Sequence, residues 1–163
     1  MNLKFSSEGI DDYISQMEKM HKSSEGMIKR AVYDGASVYG DAMIGAINSI
    51  PVTEFKFVHG GEMIRGITPE QKAGLLEGFG FAKMENKSGF INTKAGFDGY
   101  NSVHTKRYPN GQPNAMIANS INSGTSLNPK YGFVDKAIRS SRDGIMSAMS
   151  KRFDEDTKDL IQE

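Results

Sequence analysis

The chain contains no cysteine, which excludes disulfide frameworks and thiolate metal sites. It has no net charge either, because twenty Lys and Arg balance twenty Asp and Glu. Proteins whose main task is to grip nucleic acid are ordinarily basic, so this balance leaves room only for local basic patches. No apolar run approaches the roughly 20 residues that a membrane-spanning helix needs. The opening residues, Met1-Asn2-Leu3-Lys4-Phe5-Ser6, lack the apolar core of a signal peptide. The expectation is a protein made in the cytoplasm, without a membrane partner. Apolar residues are scarce as well, at 37%. A chain of 163 residues suits one domain with a modest core, and one this polar is expected to finish burying its surface in an assembly.

Signatures of catalysis are equally sparse. His21, His59 and His104 lie far apart, and none sits in a metal-ligand spacing. Asp11-Asp12 and Asp154-Glu155-Asp156 are neighbouring carboxylates that a helix points to different sides, which makes solvated faces rather than an acid–base pair. Gly60-Gly61, Gly78-Phe79-Gly80 and Gly96-Phe97-Asp98-Gly99 do not complete a phosphate-binding pattern. Gly78-Phe79-Gly80 precedes an extended segment instead of opening a helix. Ser123-Gly124-Thr125-Ser126 is not a nucleophile elbow, and reads as a helix C-cap with Gly124 in a left-handed conformation. The expectation is a non-enzyme with no catalytic residue, metal or cofactor.

What is present is a pattern of helices around a few short strands. Residues 1–6 are expected to be extended or flexible. A first helix opens at Ser6 or Ser7, with Glu8 in its first turn, and carries the stripe Ile10, Tyr13, Ile14 and Met17. Lys22-Ser23-Ser24 reads as a break. A second helix follows from about Glu25 to Ile50, with Ile28, Val32, Tyr39, Met43, Ala46 and Ile50 at helical spacing. Met27, Ala31, Ala42 and Ile47 widen that face. Gly35, Gly40 and Gly45 each weaken a helix interior, unless another backbone or side chain packs closely there. Pro51 ends the helix.

Residues 52–67 form a variable loop that reads either as a small hairpin or as a mobile loop. Thr68-Pro69-Glu70-Gln71 predicts a helix start with a capping box, running to about Gly78. Phe79 to Met84 is extended, Glu85 to Gly89 turns, and Phe90 to Phe97 is a second strand with Ile91, Thr93, Ala95 and Phe97 on one face. Asp98-Gly99 closes it in a tight turn, and residues 100–113 form a second variable loop. Asn114 is placed to cap a short helix closed by Gly124. A long helix begins near Tyr131 with the stripe Val134, Ile138, Ile145, Met149, Phe153 and Leu160. The fold class is α+β: one domain, a small antiparallel sheet packed against two long helices.

Basic and aromatic residues meet in the two least regular segments, Lys106-Arg107-Tyr108 and Lys56-Phe57 through Arg65. That mixture suits DNA phosphates or stacked bases, although scattered charges in a neutral protein also serve solubility. Phe5, Phe55, Phe57 and Phe133 stand out as partner contacts, because an aromatic in a loop must bury itself somewhere.

The order and spacing of several pieces over residues 8–162 carry a resemblance. They are the helix A-V-Y-D-G-A-S-V-Y-G-D leading to Ile50-Pro51-Val52, then T-P-E-Q-K-A-G-L-L-E-G-F-G-F, then G-F-D-G-Y-N. Y-P-N-G-Q-P-N, A-N-S-I-N-S-G-T-S and the helix entry Gly132-Phe133-Val134-Asp135-Lys136-Ala137 complete the set. Together they resemble the tail-component family of lambdoid tailed phages, whose members complete the tail or join it to the head. The chain departs from that pattern at Asn122-Ser123, where an acidic residue is common, and at Gly132, where proline is frequent.

The resemblance implies a structural virion protein of a tailed phage or prophage, made in the host cytoplasm and built into the neck or proximal tail. Such a protein is similar to subunits of six-membered rings around the DNA channel. Its partners would be itself, adjacent neck and tail-tube proteins, and DNA through non-specific contact. A tail terminator that caps the growing tube is the alternative within the same apparatus; a DNA-binding accessory protein is the alternative from another class. On this reading the loops 52–67 and 100–113 carry ring or neighbour contacts, with Phe55, Phe57, Arg65, Lys106, Arg107, Tyr108 and Phe133 as the contact residues. Pro51, Gly99 and Gly124 set the turns.

Overall fold

The computed structural model describes residues 8–53, 66–126 and 128–162, with side chains described for 24–53, 66–126 and 128–159. Two long helices form its frame. Helix α1 spans Glu8–Asn48, about 60 Å at the usual rise per residue, and the last helix, α4, spans Phe133–Gln162. They run antiparallel, as the contacts show: Arg30 meets Asp156, Asp34 meets Arg152, Gly35 faces Met149, and Gly144 faces Val38. Between them in sequence come α2 (Pro69–Gly78), a hairpin of four short strands, and α3 (Asn114–Ser123). The molecule is α+β, as the residue pattern predicts.

Helix α1 is continuous through Lys22-Ser23-Ser24, which corrects the expected break. Those residues include no proline or glycine, and serine costs a helix interior only a few tenths of a kcal/mol. The face that α1 buries lies within the expected one: Met27, Ala31, Met43 and Ile47 are buried, as is Ile50 just past the helix end, whereas Ile28 at the edge of the stripe is 36% exposed. Gly35 lies on the buried face because α4 crosses it closely: an added Cβ would stand 2.8 Å from Met149 Cγ and 3.2 Å from Ile145 Cγ2. Gly45, by contrast, borders open space. Pro51 follows the helix end, and Lys72 Nζ donates to the Asn48 and Ile50 carbonyls at 2.7 and 2.8 Å. A cation there satisfies carbonyls left unpaired by the last turn and opposes the helix dipole.

The chain re-enters at Gly66, where Ile67 forms a parallel bridge with Val52 and its N–H donates to the Pro51 carbonyl. Helix α2 opens as expected. Thr68 Oγ1 accepts from the Gln71 N–H, and the Gln71 side chain accepts from the Thr68 N–H. Leu75 drives α2 into the core, where Met43, Ile47, Ile50, Ile67, Ile117, Ala118, Ile121, Phe133 and Ala137 gather. The core therefore sits at the end of the frame where α1 finishes and α4 begins.

One hairpin carries all the named strands. β1 (Phe79–Phe81) pairs with β4 (Ala95–Phe97), and β2 (Glu85–Lys87) pairs with β3 (Phe90–Asn92), both antiparallel. Between the two ladders Ala82–Met84 faces only Thr93–Lys94, so one extra residue on the first strand forms a bulge that shifts the register. The expected single strand from Phe90 to Phe97 is thus two strands. The turn also shrinks from Glu85–Gly89 to Ser88-Gly89, whose φ angles are both positive, 53° and 85°. Two such residues match the right-handed twist of the flanking strands.

The short helix α3 is capped at Pro113 without a side-chain bond. Asn114, the expected cap, instead lies inside the helix and donates from Nδ2 to the Asp98 carbonyl at 2.8 Å, which ties α3 to the end of β4. Gly124 closes α3 with its N–H on the Ser120 carbonyl. Its φ of 80° is positive as expected, but its ψ of 164° is extended, a region open essentially to glycine alone. Asn122 Oδ1, from α3, then accepts from the Val134 N–H at 3.0 Å, so its side chain caps the first turn of α4.

Helix α4 does not use its expected stripe throughout. Phe133, Ala137 and Ser141 are buried, followed by half-buried Ile145, Ala148 and Met149. Ile138 is 50% and Phe153 45% exposed. Arg152 and Asp156 occupy the inner face as ion-pair partners of Asp34 and Arg30, which displaces apolar residues outward.

Candidate interaction surface

Five aromatic rings link the frame to the hairpin. Tyr39 on α1 meets Phe79 and Phe81 edge-on at 6.3 and 6.4 Å. Phe79 meets Phe97 at 5.5 Å, and Phe97 meets Phe133 at 6.0 Å. This chain of rings fixes the root of the hairpin against both long helices. Burial beside it pushes the Tyr39 phenol above its ordinary pKa. Phe133 is 1% exposed. Its expected role as a neighbour contact is therefore corrected: as the first residue of α4 it is turned into the core and supplies a structural ring.

The remaining expected contact residues fall into two groups. Phe55, Phe57 and Arg65 lie outside the described residues. Lys106 and Arg107 are exposed and Tyr108 is half-buried, with the Arg107 guanidinium 5.7 Å from the Tyr108 ring centre. Residues 100–113 are held by their own hydrogen bonds. Asn101 N–H donates to the Gln112 carbonyl, and Thr105 and Tyr108 exchange backbone bonds at 3.0 and 3.1 Å. Gln112 also accepts from Gln71 of α2 at 2.7 Å. The loop thus presents Lys106 and Arg107 at a fixed tip. Of the three turn residues, Pro51 follows the end of α1, Gly99 has a φ of 73° with its N–H on Asp98 Oδ1, and Gly124 closes α3.

Beside the aromatic chain lies a groove that the residue pattern did not reveal. It has a volume of about 490 Å³ and runs between α1 and the hairpin. Tyr33, Ala36, Gly40 and Ile44 line one wall, and Phe79, Phe81 and Met84 the other. Asp41 is the one charged residue in the lining, and it has no ion pair among the described residues. Gly40 allows the approach, because Phe81 Cε2 lies 3.4 Å from where its Cβ would stand. Tyr33 and Ile44 are 67% and 44% exposed. They sit eleven residues apart, three turns of helix, and form a second apolar stripe beside the core stripe. That spacing was the available signal.

The groove suits an apolar body better than a polar substrate, since it offers one carboxylate and three hydroxyl groups, on Tyr33, Ser37 and Thr93. Among the described residues no three His, Asp or Glu side chains come together as a metal site, and no helix is long and apolar enough to cross a membrane. No protein-family model, curated protein or solved structure matches the chain.

Proposed function

We propose that this chain is a structural subunit of a tailed phage or prophage particle, acting at the neck or proximal tail in a tail-completion or head–tail joining ring. The observation that carries the reading is the resemblance of its ordered motifs, from the α1 sequence to the entry of α4, to the lambdoid tail-component family. Physical features of the molecule support it. A ring subunit must be soluble alone yet present two different patches that close under rotation. The chain carries equal numbers of acidic and basic residues and leaves Tyr33, Phe90, Tyr100 and Met146 between 62% and 72% exposed, aromatic and methionine side chains of the kind that protein interfaces favour. The tip at Lys106 and Arg107 offers a separate polar contact. In this reading the protein is not an enzyme and needs no cofactor.

Gold-labelled antibody against the chain provides the test in particles purified from the parent element. Label at the head–tail junction is expected, while label distributed along the tail, or particles lacking the chain, would sink the proposal.

A further inference from the structure

The tip of the hairpin and the groove at its root complement one another, yet a single copy does not bring them together. Phe90 is 72% exposed, the most exposed large apolar side chain described, and it does not line the groove. Its directly opposite partner across the ladder is Lys87, so ring and ammonium are presented on one face. The Ser88-Gly89 turn has both φ angles positive and sets this pair on a tight two-residue loop. Lys87 pairs with Glu85 at 2.9 Å, but its side chain is 70% exposed; such a pair contributes little and exchanges readily for another.

The groove has the matching features. Tyr33, Ile44 and Phe81 offer an apolar bed, and Asp41 beside it supplies a carboxylate that has no ion pair among the described residues. The charges are complementary beyond this pair: Lys83, Lys87 and Lys94 outnumber Glu85 on the hairpin, while Asp41 is the one charged side chain among the described residues that line the groove.

We infer that Phe90 and Lys87 of one copy seat in the α1–hairpin groove of a second copy, with the ring against Tyr33, Ile44 and Phe81 and the ammonium on Asp41. The contact uses different patches on the two copies, as a closing ring requires. The inference deepens the ring reading by naming one contact, and rests on that reading for the copies to meet.

The test is sedimentation velocity of the full chain over a range of concentrations, with circular dichroism to confirm folding. The variants are Phe90→Ser, Lys87→Asp, Asp41→Lys and the double variant Lys87→Asp/Asp41→Lys. All of these positions are exposed, so the fold should survive. Phe90→Ser and each single reversal should raise the concentration for half-association by about tenfold or more, and the double reversal should recover most of that loss. Equal association in all variants would overturn this contact and leave the ring reading standing, as would a groove filled by a different protein. Single reversals whose losses add in the double variant would overturn the Lys87–Asp41 pairing. Wild-type protein that stays monomeric at every concentration would overturn the contact as a source of self-association, while the ring reading is decided separately by the labelled particles.

Discussion

Gly35 and Gly45 sit ten residues apart on α1 and meet opposite surroundings. At Gly35 an added Cβ would press on Met149 Cγ and on the branched Ile145 side chain; at Gly45 nothing lies within 4 Å. Gly35→Ala should therefore destabilise by about 1–3 kcal/mol, as overpacking does. Gly45→Ala should stabilise by about 0.5–1 kcal/mol through helix propensity alone. Urea unfolding of the two variants checks both signs, and equal effects would contradict the assigned α1–α4 contact. The sequence shows the same residue at both sites, so only the crossing of α4 tells them apart. Phe133 teaches a related lesson. An aromatic at a loop–helix junction looks available, and its burial becomes visible only when Phe97 and the start of α4 are placed around it.

At the scale of elements, the start of α2 is held by interactions within four residues. Thr68→Ala removes the side-chain acceptor for the Gln71 N–H and should cost about 1 kcal/mol. Glu70 adds a pH dependence. Its own backbone N–H, and then the Thr68 side chain, lower its pKa below the ordinary carboxylate value. A depressed folded pKa favours folding above the unfolded pKa, and the benefit is lost as pH falls through the folded value. The stability gap between the wild type and Glu70→Gln should thus be full at neutral pH and close as the solution is acidified below the usual carboxylate range. A gap that widens on acidification would contradict this. The pair of Arg152 and Asp34, at 2.6 Å and partly exposed, raises the Arg152 pKa through its hydrogen bond. A double-mutant cycle should show a small coupling between the two that falls with added salt.

The capping box was legible because its partners are neighbours in sequence. The hairpin bulge was not, because alternation from Phe90 to Phe97 continues unchanged across a register shift created by Lys83 on the other strand. The outward turn of Phe153 was hidden for a similar reason. Arg152 and Asp156 take inner positions only because Asp34 and Arg30 wait on α1.

On the scale of the whole molecule, two long helices and a core at one end hold out two exposed features, the hairpin with Phe90 and the loop with Lys106 and Arg107. The sequence pattern marked the second and the strands of the first, but neither Phe90 as a contact nor the groove at the hairpin root, since a groove is made by two elements that the sequence keeps apart. Charge reversal at both Lys106 and Arg107 should weaken particle assembly while leaving thermal stability unchanged, because neither side chain enters the core. Unimpaired assembly would remove that loop from the interface.

Electron microscopy of induced lysates from the parent element with this gene deleted decides whether the chain joins heads to tails. Separate filled heads and tails of normal length are expected. Tails of uncontrolled length would shift the role to that of a terminator, and intact joined particles would contradict a joining or completion role altogether.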